Sequence, residues 1–344
     1  MVKKQRILII LFFTIYALII SGCTETAKSF DSQVANNEFA NYLAGGNMAY
    51  FNNTLYLVYN SGNHVNIGTY KITNNGAENI LDTSDIDYIF QSPNLYQYNN
   101  QLYSTRSSDG SILKYDKENQ LFTNSELDIK NNSDTVYIND DLLVWNSDSD
   151  GTLNVRYKNN ECILNLQSKT FYVVDKTVYF IDSKSWLYSY NVEKGDGKGE
   201  FITELNNDNL EYIGYCDSYF YYSNFGNNLA DYKTGLYCYS FDENKTELIL
   251  DKEICGLNSY NNILYIATTD GIYTANGKNC TKFSDIKTKE IYILDTQWIY
   301  TNDNNGNILR ISVDGKTTEK IDFLYHRWII KTNLERLSNF FIFR

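Results

Sequence analysis

Apolar and polar positions alternate along most of this chain with a period of two, in short runs separated by polar turns. That period places successive side chains on opposite faces of an extended strand. Seven times the chain presents an apolar-aromatic strand, a polar turn that usually carries Gly, a second alternating strand and another polar turn. Tyr56, Tyr103, Leu143, Tyr179, Tyr221, Tyr265 and Tyr300 mark the first strands of these units, at intervals of 47, 40, 36, 42, 44 and 35 residues. Each interval is close to one four-stranded propeller blade, for which roughly 40–45 residues is typical. Partner strands follow at 111–116, 186–191, 235–242, 271–275 and 307–314. In the third of these, Leu236, Cys238 and Ser240 are expected on one face and Tyr237, Tyr239 and Phe241 on the other. Asn-Gly at 75–76 and 276–277, and Asp-Gly at 109–110, 150–151, 270–271 and 314–315, supply the positive φ that tight hairpins need.

A single such unit cannot bury both of its faces, so repeated sheets packed around an axis are the stable solution. The pattern predicts an all-β chain, a β-propeller of four-stranded antiparallel blades over residues 39–321. The expected number is seven, with six and eight left open by the ends of the repeat. Residues 39–52 precede the first marker and are expected to supply the outer strand that closes the ring. Residues 322–344 depart from the repeat. They are apolar and basic, and Trp328-Ile-Ile-Lys-Thr-Asn faintly repeats Trp298-Ile-Tyr-Thr-Asn. They read as a partial last blade, a C-terminal cap or a tail altered by a reading-frame change.

The first residues follow another logic. Lys3, Lys4 and Arg6 precede an apolar run from Ile7 to Ile20, and Ser21-Gly22-Cys23 follows. Fourteen apolar residues are too few for a membrane-crossing helix, which needs about 20, but they suit a secretory signal. The stretch Ile19-Ile20-Ser21-Gly22-Cys23 resembles a bacterial lipobox, with Ile20 where Leu is usual. That resemblance implies a signal peptide over 1–22, and a Cys23 that carries thioether-linked diacylglycerol and becomes the mature N-terminus. Residues 23–38, polar and small, then read as a lipidated flexible tether. A second resemblance concerns the repeat. Asp217-Ser-Tyr-Phe-Tyr-Tyr-Ser-Asn, Trp298-Ile-Tyr-Thr-Asn and Leu309-Arg-Ile-Ser-Val-Asp-Gly resemble D-x-W-I-Y-Y-x-N…L-Y-K-x-x-x-D-G. That repeat belongs to bacterial lipoproteins with a propeller similar to the YWTD β-propeller of low-density-lipoprotein receptors. The resemblance covers 39–321 and implies fold. It carries over no ligand-binding residue, and Leu142-Leu143-Val144 departs from its aromatic core.

Composition narrows the partners. Of 344 residues, 31 are Tyr, which favours half-buried sheet over helix. The formal charge of −12 argues against nucleic acid, whose binding rests on clustered Lys and Arg. Without Lys3, Lys4 and Arg6, 27 basic residues face 42 acidic ones, a charge of −15. An anionic bilayer repels such a domain within a Debye length, so the membrane contact is the lipid on Cys23 and the domain stands off. Beyond Cys23 the cysteines are Cys162, Cys216, Cys238, Cys255 and Cys280, an odd number with no C-x-x-C spacing. They read as free, buried thiols, with one disulfide as the alternative.

Catalytic constellations are scarce. The only histidines are His64, in a loop, and His326, in the tail, and neither lies near a nucleophile-elbow pattern. Gly195-Asp-Gly-Lys-Gly-Glu superficially matches a phosphate-cradling loop, yet no helical pattern follows it. Asn146, Asp148, Asp150 and Asn154, with Gly151, stand at relative positions 1, 3, 5, 9 and 6 of a calcium-loop spacing, where oxygen side chains on a sharp turn suit a hard cation. A plain Asp-Gly hairpin competes with that reading. Trp145, Trp186, Trp298 and Trp328 offer stacking surface for sugars or peptides, or fill the space between blades. Paired Asn at 52–53, 99–100 and 261–262 among others reflects an AT-rich genome as readily as a function. The expectation is therefore a non-enzymatic, lipid-anchored extracytoplasmic scaffold that binds a protein, peptide or glycan through its loops, with no cofactor beyond the calcium candidate. The alternative is a lyase or glycoside hydrolase with carboxylates at the central channel.

Overall fold

The computed structural model describes residues 38–321, apart from 53, 61–64, 74–75, 84–94, 106–111, 120, 128–134, 148–150, 159, 206–209, 226–232 and 304–306. The expected signal peptide and lipobox-like stretch, Cys23, nearly all of the expected tether, His64, His326, Trp328 and the tail 322–344 thus lie outside the described residues. Described residues form seven four-stranded antiparallel sheets, spanning 48–83, 95–124, 136–167, 170–204, 210–250, 254–284 and 291–321, here sheets 1 to 7. In each, the strands pair in chain order from first to fourth. The architecture is an all-β propeller.

The markers fall on the second strands of the sheets and the partner runs on the third, the middle pair of each sheet. In sheet 5 that pair is buried on both faces, and its alternation is rich in aromatics there. In the third strand of sheet 5, Gly235–Ser240, Leu236 and Cys238 enter the core shared with sheet 6, while Tyr237 and Tyr239 enter the core shared with sheet 4. Similar cores join sheets 1 and 2 (Phe51, Tyr56 with Leu95, Tyr115) and sheets 6 and 7 (Tyr265, Ile272 with Ile293, Ile299). A further core packs sheet 7 on sheet 1, through Tyr292, Tyr300 and Ile321 against Met48, Tyr50 and Leu55. The ring is therefore closed by side-chain packing.

The expected closing strand is not formed. Residues 39–52 do not supply an outer strand: Glu38–Leu43 is a six-residue helix, and Met48–Phe51 is the first strand of sheet 1, paired with Thr54–Asn60. First strands line the axis, since those of sheets 1 and 2, 4 and 5, 5 and 6, and 6 and 7 lie against one another. The physical reason is that sheet 1 already owns four consecutive strands, so the chain before it is free to enter the middle of the ring. Register shifts recur between third and fourth strands, at Leu187/Tyr188, Leu236/Tyr237 and Ile272/Tyr273, and such bulges raise the local twist of the outer edge. Gly271 opens one of these third strands at φ 147, where an added Cβ would run into the carbonyl oxygen of Ser284.

Candidate functional site at the ring axis

The helix Glu38–Leu43 touches the first strands of sheets 1, 2, 6 and 7. Its Phe39 ring reaches sheets 3 and 4, edge-on to Tyr137 at 5.0 Å and stacked on Phe171 at 5.7 Å between centroids. Tyr42 adds an edge contact to Tyr96 of sheet 2 at 5.5 Å. The chain thus plugs its own central channel. Aromatic rings suit this place because inner strands that diverge around an axis leave more room than aliphatic side chains fill.

Polar groups fix the plug. Asn41 donates from Nδ2 to the carbonyl of Ile293 (2.7 Å) and accepts at Oδ1 from the Ile293 N–H (2.8 Å). Asn258 of sheet 6 donates from Nδ2 to the same Oδ1 (2.9 Å) and to the Ile291 carbonyl (2.7 Å). The helix ends at glycine: Gly46 N–H bonds the Asn41 carbonyl and Gly45 N–H the Tyr42 carbonyl, the paired bonds of a glycine C-cap. Beyond it, Gly46 accepts from the Leu95 N–H of sheet 2, and Asn47 donates from Nδ2 to Glu290 Oε1 at 2.8 Å. Tyr292 Oη and Asn302 Nδ2 each donate to the second Glu290 oxygen at 3.0 Å. Burial pushes the Glu290 carboxyl up, against the opposing pull of the bonds from Tyr292 and Asn47. Asp295 is also raised by burial, while it accepts from the N–H groups of Gln297 and Trp298 and from Tyr300 Oη. Half-buried Glu290 and buried Asp295 each hold the chain together at a strand end.

At the N-terminal end of the helix the axis opens into a depression of about 270 Å³, lined by Ala40, Tyr172, Tyr215, Asp217, Ser259 and Asn262 among others. Tyr172 Oη and Ser259 Oγ stand 3.1 Å apart across its floor, and burial pushes the Tyr172 phenol up to about 12. Its rim is built from the turns that join first to second strands. Asp217 and Ser218 (φ 47 and 63) and Asn261 and Asn262 (51 and 59) take left-handed backbone there, as Asn99 and Asn100 (45 and 55) do in the corresponding turn of sheet 2. Two successive residues of this kind make the two-residue turn that matches strand twist, and Asn, Asp and Gly tolerate it best. The paired asparagines at 99–100 and 261–262 are therefore turn-formers. Asn261 and Asn262, with Phe39, Asn41 and Glu290, are the site residues that the strand alternation does not reveal.

Other predicted residues are dispersed. Asn146 pairs with Leu153 and Asn154 with Trp145, so the two asparagines project from opposite faces of sheet 3 and share no ligand. Asp148 and Asp150 lie outside the described residues. Among the described residues, no three of His, Cys, Asp and Glu group around a metal position. Trp145 is fully buried, whereas Trp186 and Trp298 are half-buried under Lys184 and Arg310. The glycine-rich loop follows a 3₁₀ turn, Val192–Lys194, and leads into the strand Glu200–Glu204, with no helix N-terminus for a phosphate. Cys162, Cys216, Cys238, Cys255 and Cys280 are free thiols, and burial pushes Cys216 up to about 11 and Cys238 to about 12. No helix among the described residues is long and apolar enough to cross a membrane.

No family model matches the chain, and no curated protein matches it. Solved structures do. A structure described as YCF48 bound to D1 peptide shares 11% identity over 83% of this chain and 97% of that one, with a TM-score of 0.53. The computationally designed Ika8 protein covers 82% of this chain and 98% of its own at 10% identity and a TM-score of 0.49. BamB from Moraxella catarrhalis covers 76% and 83% at 9% identity and 0.47. At such identity the first of these likenesses concerns the propeller fold alone.

Proposed function

We propose that this chain is a seven-bladed, lipid-anchored extracytoplasmic propeller, of the YWTD-like lipoprotein type, that binds a protein or peptide partner on its rigid turns and carries out no chemistry of its own. The observation that carries the reading is the plugged axis. Phe39, Asn41 and Tyr42 fill the place where a propeller enzyme would gather its carboxylates, and all three are neutral. The catalytic alternative needs carboxylates that converge on open space. Half-buried Glu290, against the end of the plug, and buried Asp295, in sheet 7, instead have oxygens occupied by hydrogen bonds from the chain itself. A rigid ring that presents turns at both faces is suited to recognition, because its loops are held by the sheets and lose little entropy on binding. That YCF48 has been seen with a peptide agrees with a binding role for such a ring. The anchor rests on the lipobox resemblance at Cys23, and the seven blades on the seven sheets and the core between sheets 7 and 1.

The test is photo-crosslinking in intact cells. A crosslinking amino acid is placed in turn at exposed Lys176, Gln297, Ser183 and Thr269, which sample both faces. A discrete adduct with one envelope protein from at least one face is expected. No adduct from either face, at normal abundance, contradicts the reading.

A further inference from the structure

We propose that the ring is threaded by its own anchor, so that the face carrying the first-to-second-strand turns lies toward the membrane and the opposite face is the one offered to soluble partners. This rests on the lipid-anchored reading of Cys23. The direction of the plug supplies the argument. Ala40, near the start of the helix, lines the depression with Asp217, Asn261 and Asn262, which are all first-to-second-strand turn residues. Residues 45–47, past its end, meet the beginnings of first strands on the other face: Gly46 bonds Leu95, and Asn47 bonds Glu290 just before Ile291–Ile293. The chain therefore enters the channel from the turn face and leaves it on the opposite one.

The length of chain before the plug then fixes the geometry. Fifteen residue steps separate Cys23 from Glu38, at most about 50 Å fully extended and about 20 Å on average for a coil of that length. To bring the opposite face to the membrane, the segment would cross the turn face from axis to rim. It would then climb the side of the ring. Four strands at about 4.8 Å spacing plus the inner radius make that first leg about 20 Å, and a strand of seven residues makes the second about 23 Å. Such a path consumes nearly the whole extended reach and its entropy. Leaving the turn face toward the bilayer costs neither.

Charge sets the spacing. Among the described first-to-second-strand turns, Asp140, Asp141, Asp175 and Asp217 are exposed against the single cation Lys176, which is paired with Glu193. That acidic surface does not lie flat on anionic lipid, but beyond a Debye length of about 8 Å the repulsion is screened. The ring is thus held face-on, a tether length away. A soluble partner meets the opposite face, and only a partner already at the membrane reaches the axial depression.

The experiment uses the full lipidated chain in phosphatidylcholine–phosphatidylglycerol vesicles that carry a rhodamine lipid as energy acceptor. A donor dye is coupled to p-azidophenylalanine at Lys176, on the turn face, or at Ser183, at the other end of the same second strand. Both sites are exposed and at least about 20 Å apart along the strand. A second pair, Gln297 and Thr269, repeats the comparison in sheets 7 and 6. Transfer from Lys176 and Gln297 is expected to exceed transfer from Ser183 and Thr269 by at least about twofold, given a separation of that order between the faces. Equal or reversed transfer from chains that float with the vesicles overturns the orientation alone. Failure of the chain to float, or flotation unchanged in Cys23→Ser, overturns the anchor and the orientation with it.

Discussion

Asn41 does with its side chain what a neighbouring strand would do with its backbone, giving Ile293 one donor and one acceptor and taking a further bond from Asn258. A carboxamide is the side chain suited to this, since it carries both an N–H₂ and a carbonyl on one short stem. The position is buried, so removal of the amide leaves the Ile293 N–H and carbonyl without water to replace it. Each buried polar group left unpaired costs about 1–3 kcal/mol. Asn41→Ala is therefore expected to lower stability by about 3 kcal/mol, read as a fall in the denaturant midpoint at unchanged slope. Asn41→Asp is expected to fall as well, because a carboxylate cannot donate to the Ile293 carbonyl. A loss below about 0.5 kcal/mol, the size of an ordinary surface substitution, contradicts the plug.

Elements differ in how plainly the chain announces them. Second and third strands are most legible where both of their faces are buried: Leu236 to Phe241 alternates between two cores with Ser240 as its one polar position. First strands are harder to read. Ile291–Ile293 and Val136–Ile138 have three residues each, too few for a period of two to stand out. The helix Glu38–Leu43 is harder still, since six residues complete less than two turns. Its stop signal, Gly45-Gly46, is present in the chain, but only position along the repeat, and no pattern of its own, suggests an outer strand before sheet 1. Turn chemistry is legible in part. Sequence points to Gly as the source of positive φ, whereas three first-to-second-strand turns use Asn99-Asn100, Asp217-Ser218 and Asn261-Asn262. Ser218 is the least suited of these to φ 63, because its side chain gains little there to offset the contact between Cβ and backbone. Ser218→Gly is expected to raise stability by about 0.5–1 kcal/mol, and Ser218→Val to lower it by about 1–2 kcal/mol, both measured by denaturant unfolding.

At the scale of the molecule, the sheets and the plug depend on each other. Cores between successive sheets, including that of sheet 7 on sheet 1, bend the repeat into a ring whose middle has to be filled. Phe39 and Tyr42 fill it, and Asn41, Asn47 and Glu290 hold the filler in place. A ring of this kind is rigid at its centre, presents its turns at two faces, and leaves the axis closed to a substrate that would thread it. The central claim is that closure, and amide hydrogen exchange tests it most directly. The N–H groups of Ala44, Gly45 and Gly46 bond helix carbonyls inside the ring. They are predicted to exchange as slowly as the Ile293 N–H held by Asn41, because opening any of them requires the plug to leave. Exchange of these three amides at the rate of an unprotected chain, while the strands remain protected, would contradict the account.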